Sequence, residues 1–272
     1  MKSLSSLLIT SALIAASTTA SAALVAGDIA LVGFQASGTP NDSFSFATLV
    51  NVDAGTVLYF TDNGFTTTTG SGATAGFRGV TSLDNDGSEG LVKYTVGASG
   101  LAAGQVVSSL STNTAKGAWT LSGLVYGTTV GSGSYAPLSF SASGEQFTVF
   151  QSSNAQPMLS GYTSLYNFDN TGAYEAAGSS SQGELAPGLV QGTSAILLNA
   201  TTGANFANFN FGAFSGVADR AIWLARIGTA SNWTTSNATT NVADSSFSVG
   251  AVPSPGAVAL IGLAGLVARR RR

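Results

Sequence analysis

The stretch SFSFATLV at residues 43–50 decides the fold class. Phe44 and Phe46 alternate with serines, and this period-two pattern predicts a half-buried β-strand. A second run, TVLYFT at residues 56–61, follows the turn residues 53–55 and is rich in β-branched and aromatic side chains. Short runs of this kind, separated by turn residues, are typical of an all-β protein.

Comparable runs continue on both sides of this segment, at spacings that predict an antiparallel β-sandwich over residues 23–251. The other predicted strands are Asp28–Gln35, Leu91–Val96, Gln105–Leu110, Gln146–Gln151, Ser194–Asn199, Asn208–Phe211 and Ser245–Val249. Val217–Ile227 is the exception, because Val217, Ala221, Leu224 and Ala225 fall near one helical face and Asp219 lies in the first turn. We therefore expect one short surface helix packed against the sandwich.

Composition and charge exclude several classes of function. The chain has no Cys and no His, which excludes disulfides, thiolate zinc sites and a Ser-His-Asp triad. Between the two ends, five basic residues stand against thirteen acidic ones, a net charge of −8. Such a surface repels phosphate backbones, so we expect no nucleic-acid partner.

Residues 1–22 have the organisation of a secretory signal peptide. Lys2 supplies the positive charge, residues 7–16 form an apolar core, and Ala20-Ser21-Ala22 places small residues at the −3 and −1 positions. The pattern predicts cleavage by signal peptidase before Ala23. A buried helix is the alternative interpretation, but the order of charge, apolar run and small residues favours the signal peptide.

The C-terminal segment, residues 252–272, has three parts in order. Val252-Pro253-Ser254-Pro255-Gly256 is followed by an apolar run over residues 257–268 and then by Arg269, Arg270, Arg271 and Arg272. A helix of that apolar run would be about 18 Å long, whereas the hydrocarbon core of a bilayer is about 30 Å thick. The arginines would stay on the cytoplasmic side. These features predict a transient membrane contact before processing, with an ordinary short tail anchor as the alternative.

This tail closely resembles the PEP-CTERM sorting signal, in the variant in which Pro-Ser-Pro replaces Pro-Glu-Pro; the same tail is also called an ice-binding protein C-terminal domain. The resemblance implies recognition by an exosortase-type membrane protease in a Gram-negative or related bacterium, often one that makes exopolysaccharide. Ser254 departs from the family's usual glutamate.

The ectodomain carries a second resemblance, in Gly27-Asp28-Ile29-Ala30 and in Tyr59-Phe60-Thr61-Asp62-Asn63-Gly64-Phe65. Together they look like the opening hairpins of bacterial surface proteins with a "GDIA" strand followed by "FTDNGW". The resemblance implies a broadly lamin-tail-like β-sandwich module and no particular activity.

Asp84, Asp86 and Glu89 are the candidate metal ligands. They place three carboxylates in six residues around a glycine, and Ca²⁺ prefers several oxygen ligands. The spacing is not that of an EF-hand, however, and Asp-Asn-Asp-Gly is also an ordinary turn composition. A solvated loop is therefore favoured, with calcium as a possible cofactor and no other cofactor expected.

Two further chemistries were weighed against structural roles. Glu145, Glu175 and Glu184 could provide a carboxylate pair for glycoside hydrolysis, but each lies among turn residues. The side chains that could form a sugar-stacking platform are Trp119, Tyr126, Tyr135, Tyr162 and Tyr166, although such aromatics more often fill a core.

Asp62 and Asn63 end a strand, where the favoured interpretation is that Asp62 caps its own turn and Gly64 supplies a positive φ.

We expect a non-enzymatic protein of the cell envelope or extracellular matrix, with a structural or adhesive sandwich and exopolysaccharide as a possible partner. The alternatives are a carbohydrate-binding module, with or without calcium, and a hydrolase that uses carboxylates alone.

Overall fold

The computed structural model describes residues 23–36, 42–67, 76–78, 90–120, 138, 140–141, 144–175, 183–198, 205–237 and 244–250. These residues form an all-β fold with one α-helix. The strands are β1 (Ile29–Gln35), β2 (Ser43–Thr48), β3 (Val57–Thr61), β4 (Phe65–Thr66), β5 (Gly76–Phe77), β6 (Leu91–Val96), β7 (Gln105–Ser108), β8 (Gly117–Thr120), β9 (Gln146–Ser152), β10 (Tyr162–Asp169), β11 (Ala195–Leu197), β12 (Phe206–Phe209), β13 (Trp233–Ser236) and β14 (Ser245–Ser246); the helix is α1 (Arg220–Ile227). Phe211–Ala213 and Ala230–Asn232 form short 3-10 helices.

Two sheets of six strands each form the sandwich. The first sheet has the order β13-β12-β1-β2-β7-β14, and the second has the order β11-β10-β9-β3-β6-β8. Strands β4 and β5 form a separate two-stranded hairpin. The pairs within both sheets are antiparallel except for β10 and β11, which are parallel. This arrangement confirms the predicted antiparallel sandwich, and the parallel pairing of β11 at one margin adds a detail that the sequence patterns did not predict.

The main hydrophobic core lies between the two sheets, and we call it the inter-sheet core. Aromatic rings from the two sheets meet there: Phe44 on β2 lies 4.9 Å from Phe60 on β3, and Phe34 on β1 lies 5.0 Å from Phe168 on β10, measured between ring centroids. Phe34, Phe44, Phe60 and Phe168 are each at most 1% exposed. Burial of such large apolar side chains is the main stabilising contribution to a fold of this kind.

The helix α1 packs its inward face onto the inter-sheet core. Trp223, Leu224 and Ile227 are buried, and the carboxylate of Asp219 accepts a hydrogen bond from the Ile222 N–H as the helix N-cap. The predicted helix is confirmed, but it begins at Arg220. Most of the predicted face is wrong: Leu224 is buried, but Ala221 and Ala225 are exposed, and Val217 is 70% exposed and lies before the helix.

The sequence patterns located most strands and missed one long one. β6 has the predicted bounds, whereas β10, the eight-residue strand Tyr162–Asp169, was not predicted. Strand β2 is buried on both faces rather than half-buried, since Ser43 and Ser45 are 0% and 2% exposed. The predicted signal and C-terminal helices lie outside the described residues.

Candidate functional site

The outer face of the second sheet carries a second, smaller hydrophobic cluster, which we call the outer cluster. It consists of Phe65, Phe77, Leu91, Phe150, Met158, Ala186, Leu189 and Ala195. The hairpin β4–β5 and residues 183–189 cover this face, and the Glu184 N–H donates to the carbonyl of Phe65 over 2.7 Å. A Cβ on Gly183 would lie only 2.1 Å from that carbonyl oxygen, so only glycine permits this approach.

A cavity of about 560 Å³ opens beside the outer cluster, and we call it the Tyr162 groove. Its lining residues come from four separate segments of the chain: Val25, Ala26, Phe65, Thr67, Tyr162, Thr163, Ser164, Pro187 and Gly188. The volume lies within the range of small-molecule sites, about 300–1,000 Å³. An apolar and aromatic surface therefore faces a set of hydroxyl groups in one concave site.

The wall formed by Val25 and Ala26 is fixed by an ion pair. Arg220 Nε lies 2.9 Å from Asp28 Oδ1, and its Nη2 donates to the carbonyl of Ala26 over 2.6 Å. The other carboxylate oxygen of Asp28 accepts from the Val25 N–H over 2.8 Å. Because both ends of this turn are held, the wall is already formed before any ligand binds.

Among the described members of the predicted aromatic platform, Tyr162 lines the groove. It is half-buried, and its ring lies 5.0 Å from Phe77 between centroids. Burial raises the pKa of its phenol above the ordinary value of tyrosine.

The other platform candidates do not join it. Tyr166 is fully buried, and Trp119 packs against the inter-sheet core. Tyr126 and Tyr135 lie outside the described residues. The predicted platform therefore reduces to Tyr162 alone among the described aromatics.

A row of buried polar side chains crosses the same face of the second sheet. Asn167 Nδ2 on β10 donates to Thr148 Oγ1 on β9 over 2.8 Å, and both residues are fully buried. Two residues further along β10, burial raises the pKa of Asp169 to about 6, although hydrogen bonds from the Thr171 hydroxyl and N–H act in the opposite direction. Glu175 adds a smaller electrostatic contribution that also raises the pKa of Asp169.

Asp62 and Asn63 connect the end of β3 to the residue before β6. Asp62 Oδ1 accepts from the Gly90 N–H over 2.5 Å, and Asn63 Nδ2 donates to the Gly90 carbonyl over 3.2 Å. Both side chains are fully buried. Asp62 thus bonds to a residue 28 positions later in the chain and links the end of β3 to the start of β6. The sequence had instead predicted that Asp62 caps its own turn.

Of the three carboxylates considered for hydrolysis, Glu145 and Glu184 stabilise backbone segments, whereas Glu175 is exposed. Glu145 is fully buried, and its Oε2 accepts from the Ser141 N–H over 2.6 Å. Glu184 Oε2 accepts from both the N–H and the hydroxyl of Thr67, at the mouth of the Tyr162 groove. Both groups therefore order loops.

Asp84, Asp86 and Glu89 lie outside the described residues, as do Ala20, Ala22 and the segment 252–272. Ala23, predicted to follow the signal cleavage site, is the first described residue and is exposed. Within the described ranges, no group of three or more acidic side chains could hold a metal ion. The same part of the chain contains no helix long and apolar enough to span a membrane.

Sequence analysis missed most of the groove because its lining is not a local motif. Phe65 and Tyr162 are separated by nearly a hundred residues in the sequence, and their rings lie 6.1 Å apart because the β4–β5 hairpin packs on the outer face of β10. The partly polar strand Tyr162–Asp169 was the available indication, since its alternation would have placed Tyr162 and Ser164 on the same side.

No family model, no curated protein and no solved structure matches this chain.

Proposed function

We propose that this chain is an exported, non-enzymatic component of the cell envelope or extracellular matrix. Signal peptidase would remove residues 1–22, and an exosortase-type protease would process the segment 252–272. The β-sandwich over residues 23–251 would then act as a structural or adhesive module.

The observation that carries this proposal is that residues next to both predicted processing segments belong to the folded sandwich. Leu24 is 7% exposed within the inter-sheet core, and its N–H donates to Gln151 Oε1 over 3.3 Å. At the other end, the Gly250 N–H donates to the carbonyl of Ala218 over 2.7 Å. Leu24 and Gly250 are thus both held by the folded domain, so a product cut at the two predicted sites would keep these contacts.

The environment of the described carboxylates supports a structural role. Glu145 and Glu184 accept hydrogen bonds from backbone N–H groups of neighbouring loops, and a carboxylate used in this way stabilises the loop that surrounds it. Hydrolytic activity assays of Glu145→Gln and Glu184→Gln separate this role from catalysis. We expect both variants to have lower thermal stability than the wild-type protein. Loss of a measured hydrolytic activity without loss of stability would instead support the hydrolase.

Intact-mass measurement of the protein recovered from fractionated cells tests the proposed destination. We expect a species that begins at Ala23, lacks the four terminal arginines and is found outside the cytoplasm. A matched variant, Ala22→Leu, places a large side chain at the −1 position and should retain residues 1–22. Recovery of the wild-type chain from the cytosol with Met1 and Arg272 both present would contradict the proposal.

Carbohydrate binding is the second candidate function, and the half-buried ring of Tyr162 beside an open cavity favours it.

A calcium requirement is tested by thermal melting with and without Ca²⁺, using wild type and the variant Asp84→Asn/Asp86→Asn. A Ca²⁺-dependent rise in Tm that this variant lacks would support calcium at Asp84, Asp86 and Glu89.

A further inference from the structure

The loop that follows β10 brings two carboxylates together at the end of the buried polar row. It has the sequence DNTGAYE, with Asp169 at its first position and Glu175 at its seventh. Asp169 is 1% exposed, whereas Glu175 is exposed and lies near enough to act electrostatically on the Asp169 carboxyl. Within the described part of the chain, neither residue forms an ion pair with a basic side chain. The loop therefore holds two negative charges that no described cation balances.

A buried amide oxygen without a hydrogen-bond partner lies beside this loop. Asn167 is fully buried and stands two residues before Asp169 on β10, so both side chains lie on the outer face of the sheet. The Nδ2 of Asn167 donates to Thr148, whereas its Oδ1 meets no donor among the described residues. A buried acceptor left in this way is unfavourable, so the atom points to a group that the described protein does not supply.

Tyr174 adds a second oxygen of this kind from within the loop. Its hydroxyl is buried and has no hydrogen-bond partner among the described residues. Burial and, to a smaller extent, the nearby charge of Asp169 raise the pKa of this phenol, which places the two groups in one environment. Both described hydrogen bonds to Asp169 come from Thr171 and reach the same oxygen, Oδ1. The other carboxylate oxygen of Asp169 is therefore available to a ligand.

The available atoms select a cation, and Ca²⁺ fits them better than other common metal ions. Hard cations take oxygen ligands, and the carboxylates of Asp169 and Glu175 together balance the charge of a divalent ion. Na⁺ would leave one of these charges uncompensated. Mg²⁺ demands near-octahedral geometry, whereas Ca²⁺ accepts irregular sets of carboxylate, amide and water oxygens. A site of this kind needs two acidic side chains rather than three.

We infer that the loop of residues 169–175 binds Ca²⁺ through the carboxylates of Asp169 and Glu175. Asn167 Oδ1 supplies a neutral ligand beside them, and the Tyr174 hydroxyl bonds to a water molecule of the ion's coordination shell. Ca²⁺ binding here does not depend on the proposed destination of the chain, so a cytosolic location would leave it standing.

The bound ion would fasten the segments that cover the outer cluster. The Glu175 N–H donates to the carbonyl of Gly183 over 2.8 Å, and the Glu184 N–H donates in turn to the carbonyl of Phe65 on β4. An ion that holds Glu175 against Asp169 therefore links the end of β10 to the β4–β5 hairpin through these bonds. Because the ion binds the folded loop, its binding free energy adds to the stability of the fold.

Thermal unfolding of the full chain tests Ca²⁺ binding, first in EDTA and then with a millimolar excess of Ca²⁺ or Mg²⁺ at constant ionic strength. We expect Ca²⁺ to raise the Tm of the wild-type protein by about 3 °C or more, and Mg²⁺ to raise it less. Absence of a Ca²⁺-dependent shift in the folded wild-type protein would overturn the inference, as would an equal shift with Mg²⁺.

Asp169→Asn distinguishes a metal ligand from a carboxylate with a purely structural role. In EDTA at pH 7 we expect this variant to be at least as stable as wild type, because it removes a buried charge that has no counter-ion. With Ca²⁺ the order should reverse, since wild type alone gains the full stabilisation. Asp53→Asn is the matched control at an exposed position and should keep the whole Ca²⁺ response. A full response in Asp169→Asn would overturn the assignment.

Glu175→Gln keeps the test valid even if Asp169→Asn fails to fold, because Glu175 is exposed. We expect calorimetric titration to show Ca²⁺ binding weakened about tenfold in Glu175→Gln. The variant Asp84→Asn/Asp86→Asn should bind Ca²⁺ at this loop as wild type does. A Ca²⁺ response that is lost in Asp84→Asn/Asp86→Asn and unchanged in Glu175→Gln would overturn the assignment to residues 169–175.

Discussion

The two faces of the second sheet exclude water in different ways. Its inner face contributes Phe60, Tyr94 and Phe147 to the inter-sheet core, where the rings of buried aromatic residues pack at centroid distances of 4.7–6.4 Å. Its outer face combines a small apolar cluster with fully buried polar pairs such as Thr148 and Asn167. Apolar burial thus holds the two sheets together. On the outer face, hydrogen bonds between buried polar side chains add to the apolar contacts.

This difference explains where a binding site can form. A sheet covered by another sheet leaves little space for a ligand, because both partners are regular and extended. A sheet covered by a two-stranded hairpin and by residues 183–189 leaves a gap at its margin, and the Tyr162 groove occupies that gap. We expect changes in the inter-sheet core to act on the whole fold and changes in the outer cluster to act locally.

Phe60→Ala should have the largest effect. Phe60 is fully buried and its ring lies within 6.2 Å of Phe44, Phe147 and Trp119. We expect a loss of about 4 kcal/mol in the free energy of unfolding, from lost burial and the resulting cavity. Urea unfolding measures it, with Phe60→Leu as the milder control. A loss below about 1 kcal/mol would contradict the central role of this ring.

Phe77→Ala should have a somewhat smaller and more local effect. Phe77 packs against Phe150 at 4.8 Å and Tyr162 at 5.0 Å, in the short hairpin β4–β5. We expect about 3 kcal/mol of destabilisation, concentrated in opening of this hairpin. Hydrogen exchange should accelerate at Phe65 and Glu184 while β2 remains protected. Equal acceleration across both sheets would contradict the distinction between the two clusters.

Asp169→Asn should change how stability depends on pH. The pKa of Asp169 is about 6 in the fold against an ordinary 3.8, so the folded chain holds more protons than the unfolded chain between these values. Its contribution to stability is therefore fully present below about pH 4 and is lost as pH rises through about 6.

We expect Asp169→Asn to remove a decrease of about 2 kcal/mol between pH 4 and 7, relative to wild type. Urea unfolding across this pH range measures the difference. Asp53→Asn is the matched control, because Asp53 is exposed. Parallel pH profiles for wild type and Asp169→Asn would show that burial of this carboxyl has no energetic consequence.

Thr148→Val should have the smallest effect of the four. It keeps the shape of the side chain but removes the hydroxyl that accepts from Asn167 Nδ2. We expect a loss of about 1 kcal/mol, because the buried amide loses a partner. Thr95→Val on β6 of the same sheet serves as the control. A stabilised Thr148→Val protein would show that the polar row contributes specificity rather than stability.

The parts of the fold that were predictable are those with strong apolar patterns. Strands β1, β3, β6 and β9 lie within two residues of their predicted bounds, because each carries a run of large apolar side chains. Strand β10 was missed because Ser164, Asn167 and Asp169 read as polar turn residues although all three are buried. Their burial depends on loops that cover the outer face, which no local pattern reveals.

The candidate site was predictable only through Tyr162. Its other lining residues are small or common, such as Ala26, Thr67 and Gly188, and no local sequence pattern marks them as part of a site. They line one groove because the topology brings four segments together. Glu145 and Glu184, which were candidates for a hydrolytic carboxylate pair, instead accept hydrogen bonds from neighbouring loops.

The described strands at the margins of the two sheets are short. β14 and β11 have two and three residues and β8 and β13 have four, whereas β1 and β9 have seven. A short margin offers few free backbone groups to which another copy could add a strand. At the described margins, addition of a strand from another copy would therefore form few backbone hydrogen bonds, so contact between neighbouring copies depends mainly on side chains.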